Sequence, residues 1–361
     1  MISVFHPSLA KIAGAERVCL DIIDTISKSH DVKLFLVDSE IDEEVESKLI
    51  NQGIEIEILS FAHALSAIGI GITFIRLVAN VELLLSKSGR RIVSTKGFLF
   101  IPVKHDIYLH DPERIWKTKS SSYIFTYIFW AIKIYVHVIH RLYNVRIFVN
   151  SHWTFDQITD QGFKPDAVIY PKVPNSPIEG EYRVGPRLVT VGRFVESKRL
   201  IPIINVVANI VQDYPEVRLT IAGFGGDPKY ERQIRRLESK YDWLDVKVNV
   251  SNYSLINIYQ ESDIYVHGRK FETYGITIGE AILNGCVSIV HDSGGQKEIL
   301  GKYSDWIYED DSDLQIKLRK YLSNDLESDI QGNFNHIKNQ LEKQNCNFQY
   351  FVEKYLIDNS K

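Results

Sequence analysis

Short apolar runs rich in β-branched residues alternate with longer amphipathic segments, and this alternation constrains the fold more than any other feature. In the first half, six runs have the composition of strands: residues 2–6, 31–37, 54–58, 91–94, 107–109 and 145–149. Between the first two runs, residues 15–27 place Val18, Ile22 and Ile26 on one helical face. This βαβα order predicts an α/β fold with a parallel sheet and helices on both of its faces.

A proline-rich stretch, residues 165–187, interrupts the alternation with five prolines and two glycines. Such a stretch cannot propagate a helix and is typical of a linker. The alternation then resumes, with predicted strands at 188–191, 217–222, 246–250, 264–267 and 288–290 and predicted helices at 201–213, 229–241, 255–262 and 275–283. We therefore expect an N-terminal domain (1–170), a linker (171–187), a second domain (188–340) and a C-terminal helical segment (341–361). A chain of 361 residues has the length for two α/β domains, and their ligands are expected in the cleft between them.

Charge and cysteine content exclude several classes of protein. Forty-two Lys and Arg against 46 Asp and Glu leave a net charge of −4, which gives no electrostatic reason to bind nucleic acid. The N-terminus lacks a basic region followed by an apolar run, so secretion is not expected. Three scattered cysteines match no metal-ligand spacing and are interpreted as free thiols in a reducing, cytoplasmic compartment: Cys19, Cys286 and Cys346.

Motifs for other chemistries are absent from the sequence. It contains no phosphate-binding P-loop, nucleophile elbow or H-E-x-x-H, and the loop after the first strand has one glycine where a dinucleotide fingerprint has three. Asp311 and Asp313 form a D-x-D that is able to hold a metal ion in principle. Since the pair directly precedes a predicted helix, 314–322, helix N-capping is the stronger interpretation.

Residues 188–300 carry the candidate chemistry. Arg193 and Lys198 follow a predicted strand, where two cations suit a diphosphate; the alternative is two solvated loop cations. Gly223, Gly225 and Gly226 end the next strand before a helix, and they form either an anion site or a plain tight turn. Further on, Glu272 lies in a loop and Glu280 on the helix that follows, with Gly275 permitting the helix to begin between them. The alternative for an isolated pair of this kind is two glutamates on the protein surface.

Taken together, these motifs resemble family 4 glycosyltransferases of the GT-B fold, in which two Rossmann-like domains face a central cleft. The resemblance rests on the E-x7-E pair Glu272/Glu280, on G-R-x4-K from Gly192 to Lys198, on the strand ending A-G-F-G and on the loop HDSGGQKE. In the first half, HPSLAKIAGAERV, DIYLHDP, VNSHWTFDQI and VIYPKVP are similar to the branch of α-1,2-mannosyltransferases that extend dolichol-linked oligosaccharide.

The resemblance implies a role for each matching residue. Arg193 and Lys198 would bind the donor diphosphate and neutralise the leaving group, Glu280 would bind the ribose, and Glu272 would orient the donor sugar. Backbone amides around Tyr274, Gly275 and Ile276 would meet the phosphate, and the loops of Gly14, Gly223 and Gly225 would approach the donor. His110 would contact the transferred sugar; the alternative for this residue is packing at the end of a strand.

The implied reaction is a metal-independent transfer of a hexose, with retention, to a lipid-linked glycan; the hexose is expected to be mannose from GDP-mannose. The leaving phosphate would take the acceptor's proton, and closure of the two domains would exclude water, with residues 348–357 as the candidate returning helix. The alternatives are a UDP-sugar donor with another acceptor, a sugar-nucleotide epimerase of the same fold, and a non-catalytic relative that binds glycan or lipid.

Two apolar segments of the first half bear on the acceptor. Residues 61–91 end with Lys87, Arg90 and Arg91, and residues 117–143 combine Lys117 and Lys119 with a run of aromatic and aliphatic side chains. Aromatics with peripheral cations are typical of a helix lying in a bilayer interface, which predicts a peripheral protein on the cytoplasmic face of a membrane. The alternative is that both segments are core helices.

Overall fold

A computed structural model describes residues 1–67, 72–85, 89–95, 102–112, 123–174, 182–183, 185–301, 303–323 and 329–358. The chain divides into two compact units. The first comprises Met1–Lys172 together with the segment from Cys346 onward, and the second comprises Val173–Asn345. Several residues of the proline-rich stretch, 175–181 and 184, lie outside the described residues.

The first unit is built on one parallel sheet in the order β3-β2-β1-β4-β5-β6-β7. Its strands are β1 (Ile2–Phe5), β2 (Val32–Leu36), β3 (Glu55–Ile58), β4 (Arg90–Thr95), β5 (Asp106–Leu109), β6 (Arg146–Val149) and β7 (Ala167–Val168). Its helices are α1 (Gly14–Ile26), α2 (Glu43–Asn51), α3 (Ser60–Ala67), α4 (Ile72–Leu85), α5 (Tyr123–Leu142) and α6 (His152–Asp160). The inner strands have the near-continuous burial expected of a parallel sheet that is covered on both faces, whereas the edge strands β3 and β7 are partly exposed.

The two faces of this sheet are covered differently. On one face, side chains such as Val93 and Ile107 share a core with Leu83 of α4 and Val136 of α5. Because side chains alternate along a strand, Arg90, Asp106 and Arg146 belong to the opposite face. There both arginines donate to the carboxylate of Asp106, and both also donate to the carbonyl of Tyr355 in a π-helical turn, Glu353–Ile357.

The ion-pair cluster corrects one expectation. Arg90 and Arg91 were expected to lie at the end of an apolar helix at a membrane surface, but both lie in β4. Arg90 also donates to the carbonyl of Ile357 at 2.7 Å. From the sequence, a basic pair at the end of an apolar helix cannot be distinguished from a basic pair at the start of the next strand. The third cation of that set, Lys87, lies outside the described residues.

The second unit contains a six-stranded parallel sheet in the order β10-β9-β8-β11-β12-β13. Its strands are β8 (Arg187–Val191), β9 (Arg218–Gly223), β10 (Leu244–Val248), β11 (Ile264–His267), β12 (Val287–His291) and β13 (Ile307–Tyr308). Its helices are α7 (Leu200–Ile210), α8 (Pro228–Glu238), α9 (Asn252–Gln260), α10 (Ile276–Leu283), α11 (Gln296–Leu300), α12 (Asp311–Leu322) and α13 (Ile330–Val352), whose last turns belong to the first unit.

Strand order reverses at one place in each sheet, between β1 and β4 in the first unit and between β8 and β11 in the second. Chain connections leave such a pair of strands in opposite directions, which opens a crevice beyond their carboxyl ends where ligands of open α/β sheets bind. The sequence predicted an α/β fold with a parallel sheet in each half, and the structure confirms it. A ligand-binding site is therefore expected among the residues that follow β1, β4, β8 and β11.

Two smaller expectations are also answered. The helix α12 begins at Asp311, and Asp310 is its N-cap, accepting from the backbone N–H groups of Ser312 and Asp313. Asp311 and Asp313, which the sequence predicted to cap the helix, instead lie in its first turn, where acidic side chains suit the helix dipole and Asp313 accepts from the N–H of Glu309. Among the described residues, no three His, Cys, Asp or Glu side chains are grouped so as to hold a metal ion, and the three cysteines are free thiols.

Candidate active site

The loop after β8 is held by the glycine loop after β9. A Cβ atom placed on Gly223 would lie 1.9 Å from the carbonyl oxygen of Gly192, so only glycine permits this approach. Phe194 N–H donates to the carbonyl of Gly225 at 2.9 Å, and its own carbonyl accepts from Asp227. The Asp227 carboxylate caps α8 by accepting from the N–H of Lys229. Gly223 and Gly225 thus position the loop that carries Arg193 and Lys198.

Lys198 and Glu272 form a largely buried ion pair. Nζ of Lys198 lies 2.9 Å from Oε2 of Glu272, and the two side chains are 14% and 13% exposed. Arg269 and His267 lie 3.4 and 3.6 Å from the same carboxylate. Burial raises the pKa of Glu272, but Lys198, His267 and Arg269 lower it by more, so that the pKa lies well below 4.5. Glu272 is therefore a carboxylate at neutral pH.

The backbone of Glu272 is fixed by the loop that follows β12. Gly295 N–H donates to the carbonyl of Glu272 at 2.8 Å, and the N–H of Phe271 donates to the hydroxyl of Ser293 at 2.9 Å. These bonds belong to the segment HDSGGQKE singled out in the sequence. They explain why that segment accompanies the E-x7-E pair: it holds the loop in which the first glutamate lies.

Behind Glu272, a hydrogen-bonded chain runs from His267 into the core. The hydroxyl of Tyr265 lies 2.9 Å from Nδ1 of His267 and 2.9 Å from the hydroxyl of Thr277. Burial lowers the pKa of His267 and raises that of Tyr265, so both are neutral. Neutral His267 places its proton on Nε2, which faces the carboxylate, and therefore accepts from Tyr265 at Nδ1. This support of Glu272 was not predicted, although His267 is the last residue of the strand that precedes the loop.

The second glutamate lies on α10. Gly275 is the N-cap at a φ of 100°, a left-handed conformation that favours glycine, and the helix begins at Ile276. Glu280 is the fifth helical residue and is 7% exposed. Tyr274, directly before the cap, is buried, and its hydroxyl oxygen accepts from the side-chain amide of Gln344. The entry of the helix at Gly275, between the two glutamates, is as predicted.

Arg193 differs from Lys198 in its surroundings. It is exposed, and within the described part of the chain its side chain has no hydrogen-bond or ion-pair partner. A guanidinium at the carboxyl edge of a sheet, with its donors directed at solvent, is suited to bind an anionic group. Of the residues predicted for the second unit, the structure thus joins Lys198 to Glu272 directly and packs the loop of Gly223 and Gly225 against the loop of Lys198.

The two remaining predicted residues, Gly14 and His110, belong to the first unit. Gly14 is the first residue of α1, where the N–H of Ala13 donates to the carboxylate of Glu16. His110 directly follows β5, is 6% exposed, and accepts from Asn150 at its carbonyl. Its Nε2 lies 2.7 Å from the hydroxyl of Ser94. Ser94 was not predicted, because nothing in the sequence marks a polar residue in the middle of a buried strand as functional.

Most of the second unit is similar to a known protein family. Residues 175–335 match the family model of glycosyl transferases group 1. Across the whole chain, the structure is similar to that of HepE from Anabaena solved with UDP and glucose, with a TM-score of 0.69, 14% identity and 99% coverage of both chains. The fold is therefore the GT-B fold, with a parallel sheet in each half.

Curated relatives match over shorter lengths. The glycogen synthase of Clostridium beijerinckii is 27% identical over 39% of this chain and 28% of its own length. A GDP-Man:Man(3)GlcNAc(2)-PP-Dol alpha-1,2-mannosyltransferase from Neurospora crassa is 25% identical over 46% of this chain and 37% of its own length. The chain thus spans less than two fifths of each of these relatives. The family match covers the part of the chain in which the sequence predicts the donor site.

Proposed function

We propose that this protein is a retaining glycosyltransferase that moves a hexose from a nucleotide sugar to an acceptor hydroxyl. The observation that carries the proposal is the ion pair of Lys198 and Glu272, which joins the loops after β8 and β11 at the reversal of strand order. An ionised carboxylate suits sugar hydroxyls, and two cations suit a diphosphate. Arg193 and Lys198 would stabilise the charge that develops on the leaving nucleoside diphosphate.

The finer proposal is that the sugar is mannose from GDP-mannose and that the acceptor is a lipid-linked glycan. The similarity to the Neurospora mannosyltransferase supports it, while the similarity to glycogen synthases favours a glucosyl donor instead. Glu280 would bind the donor ribose, amides at Tyr274–Ile276 and the loop of Gly14 would meet the diphosphate, and His110 would contact the transferred sugar.

A lipid-linked acceptor is supported by the outer surface of the first unit. Helix α5 buries Val136 and Ile139 but exposes apolar side chains on its other side: Ile134, Tyr135, Val138 and Leu142. Helix α4, which packs on the same core, exposes Val81, Leu84 and Leu85. One face of α5 therefore packs on the core, and its other face is exposed. We propose that this apolar surface contacts a membrane interface; Lys117 and Lys119 lie outside the described residues.

Within the described residues, no helix is both long enough and apolar enough to cross a membrane. We propose a membrane contact that is peripheral.

We also propose that the transfer needs no metal, because Arg193 and Lys198 would supply the positive charge at the leaving group. Full activity in the presence of EDTA is the expected result. A complete loss that added Mg²⁺ or Mn²⁺ restores would overturn this part of the proposal and direct attention to Asp311 and Asp313.

The decisive experiment is a donor screen with detergent-solubilised lipid-linked glycans as acceptors. GDP-mannose, UDP-glucose, UDP-N-acetylglucosamine and ADP-glucose are tested separately with the wild-type protein and with Lys198→Ala. We expect the wild type to transfer sugar from one of these donors and Lys198→Ala to transfer sugar from none of them. Transfer only from a UDP- or ADP-sugar would correct the donor. Isomerisation of the sugar without any acceptor would overturn the assignment in favour of an epimerase.

A further inference from the structure

Lys198 is the last residue of a tight turn. The turn, Glu196–Lys198, is a single 3₁₀ turn, and Arg199 then adopts a φ of 54° before α7 begins. The N–H of Arg199 donates to the carbonyl of Glu196 at 2.9 Å. Because a left-handed conformation is unfavourable for an arginine, contacts with neighbouring residues must hold the turn that places Lys198 next to Glu272.

Two glycines pack against Lys198 itself. A Cβ atom placed on Gly268 would lie 2.7 Å from the carbonyl oxygen of Lys198, and a Cβ atom placed on Gly192 would lie 3.1 Å from its Cδ. Gly192 directly follows β8 and Gly268 directly follows β11. The backbone and the aliphatic part of Lys198 are therefore in close contact with the ends of both strands.

An ion pair holds Arg199 from a different element, helix α12. Nη2 of Arg199 lies 2.6 Å from Oδ1 of Asp311, and the two side chains are 26% and 47% exposed. Asp311 is the first residue of α12, which packs on α7. Further along, Arg319 of α12 donates to the carbonyl of Asn209 in α7 at 3.1 Å. The two helices are thus joined at a second place, so Asp311 is a fixed partner for Arg199.

The segment that carries Asp311 also contacts the chain before Glu272. Tyr308, in β13, is buried, and its hydroxyl donates to the carbonyl of His267 at 3.0 Å, at the end of β11. The same segment therefore contacts the residue after Lys198 on one side and the strand that leads to Glu272 on the other. It holds both halves of the ion pair.

We propose that Arg199 and Asp311 are positioning residues, whose ion pair holds the turn that places the ammonium group of Lys198 against the carboxylate of Glu272. The first aspartate of the D-x-D then has a role that requires no metal ion. The effect on sugar transfer rests on the proposed function, whereas the position of Lys198 is a property of the protein alone. The two parts can be tested separately.

The second aspartate of the D-x-D provides a matched control. Asp313 lies in the same turn of α12, but its carboxylate accepts from the N–H of Glu309 at 3.0 Å and lies 3.9 Å from Nζ of Lys317. Asp311→Ala and Asp313→Ala therefore remove the same charge from the same end of the helix. The ion pair with Arg199 is lost in Asp311→Ala.

Competitive acetylation of lysines in the intact protein, quantified by mass spectrometry of peptides, measures how well Lys198 is protected. Asp311→Ala and Arg199→Ala are each expected to raise the labelling rate of Lys198 by about three- to fivefold, the effect of losing one partly exposed ion pair. The double variant should show no further rise, because both substitutions remove the same contact. Asp313→Ala should leave the rate unchanged. An unchanged rate in Asp311→Ala, or an equal rise in Asp313→Ala, would overturn the positioning role.

Transfer kinetics test the consequence for the donor. Since Lys198 would act on charge that develops as the diphosphate leaves, Asp311→Ala is expected to lower kcat by about three- to fivefold with little change in KM. Asp313→Ala is expected to change neither constant. A raised labelling rate with an unchanged kcat would leave the positioning standing and overturn the role of Lys198 at the leaving group. Complete loss of transfer in both aspartate variants, together with loss of activity in EDTA, would overturn the inference and assign the D-x-D to a metal ion.

Discussion

Lys198 and Glu272 lie 74 positions apart in the chain, and their charged groups are 2.9 Å apart in the structure. The first leaves the carboxyl end of β8 and the second follows β11, so the pair bridges the two strands at which the sheet order reverses. Removal of Glu272 takes the carboxylate away from the largely buried ammonium group of Lys198, which is strongly unfavourable. Removal of Lys198 leaves Glu272 with Arg269, 3.4 Å away, and weakens the stabilisation of its charge. Substitution of either residue therefore has consequences for both binding and stability.

We expect Lys198→Ala and Glu272→Ala each to abolish turnover while the fold survives. A group that stabilises charge in a transition state is typically worth a factor of about 10² to 10³ in kcat, and both residues would act on the same donor. Initial rates of sugar transfer and far-ultraviolet circular dichroism measure the two effects. Lys247→Ala is the matched control, since its side chain is exposed and pairs with Asp245. Wild-type rates in either variant would remove that residue from the site.

The stability that Glu272 contributes should depend on pH. Its pKa in the folded protein lies well below the ordinary value of 4.5, so its contribution is present above pH 4.5 and is lost as pH falls through the folded pKa. The difference in free energy of unfolding between wild type and Glu272→Gln is therefore constant from pH 7 to about pH 5.5 and narrows below that. Urea unfolding at each pH measures it. A difference that stays constant down to pH 3 would contradict the assignment.

Tyr265→Phe tests whether the chain behind Glu272 matters for activity. The variant removes the donor to Nδ1 of His267 and should lower kcat by about five- to tenfold, corresponding to about 1 kcal/mol. Tyr321→Phe is the matched control, because this buried tyrosine donates to the carbonyl of Arg183 away from the site loops. We expect both variants to lower the melting temperature and only Tyr265→Phe to lower kcat. Equal kcat values for the two variants would reduce His267 to a structural role.

The sequence predicted the site residues that follow strand ends better than the site residues that are positioned by packing. Lys198, Glu272 and Glu280 follow or open regular elements, so their spacing alone indicates their placement. Ser94 contacts His110 from the neighbouring strand, and His267 contacts Glu272 in the loop after its own strand; the spacing of residues in the sequence reveals neither contact. Likewise, α2 and α6 were missed because each is short and has few buried side chains.

Polar substitutions on the exposed face of α5 should weaken membrane binding without changing the rate of sugar transfer to a water-soluble acceptor. Val138→Asp combined with Leu142→Ser removes two exposed apolar side chains that contribute nothing to the buried face. We expect weaker co-sedimentation with anionic phospholipid vesicles and a raised KM for a lipid-linked acceptor. Rates with a water-soluble acceptor should not change. Ile50→Asp, on the exposed side of α2, is the matched control. Wild-type co-sedimentation of the double variant would overturn the proposed membrane surface.

Asp106→Asn should destabilise the first unit. Asp106 is 4% exposed and neutralises both Arg90 and Arg146, so the substitution leaves two largely buried cations without their carboxylate. Removal of one partner of a buried pair costs about 3 kcal/mol or more. Thermal and urea unfolding measure this loss, and limited proteolysis followed by mass spectrometry shows whether cleavage begins after residue 346. Unchanged stability together with an uncut C-terminal segment would contradict this account of the cluster.

The same cluster has a consequence for the order of assembly. Arg90 is bonded to the carbonyl of Ile357, 267 positions further along the chain. During synthesis on the ribosome, Arg90 and Arg146 can form their bonds to the carbonyls of Tyr355 and Ile357 only after the complete second unit has been synthesised. Over that interval the two arginines lack these partners. The second unit, whose segments are contiguous, is free to fold first.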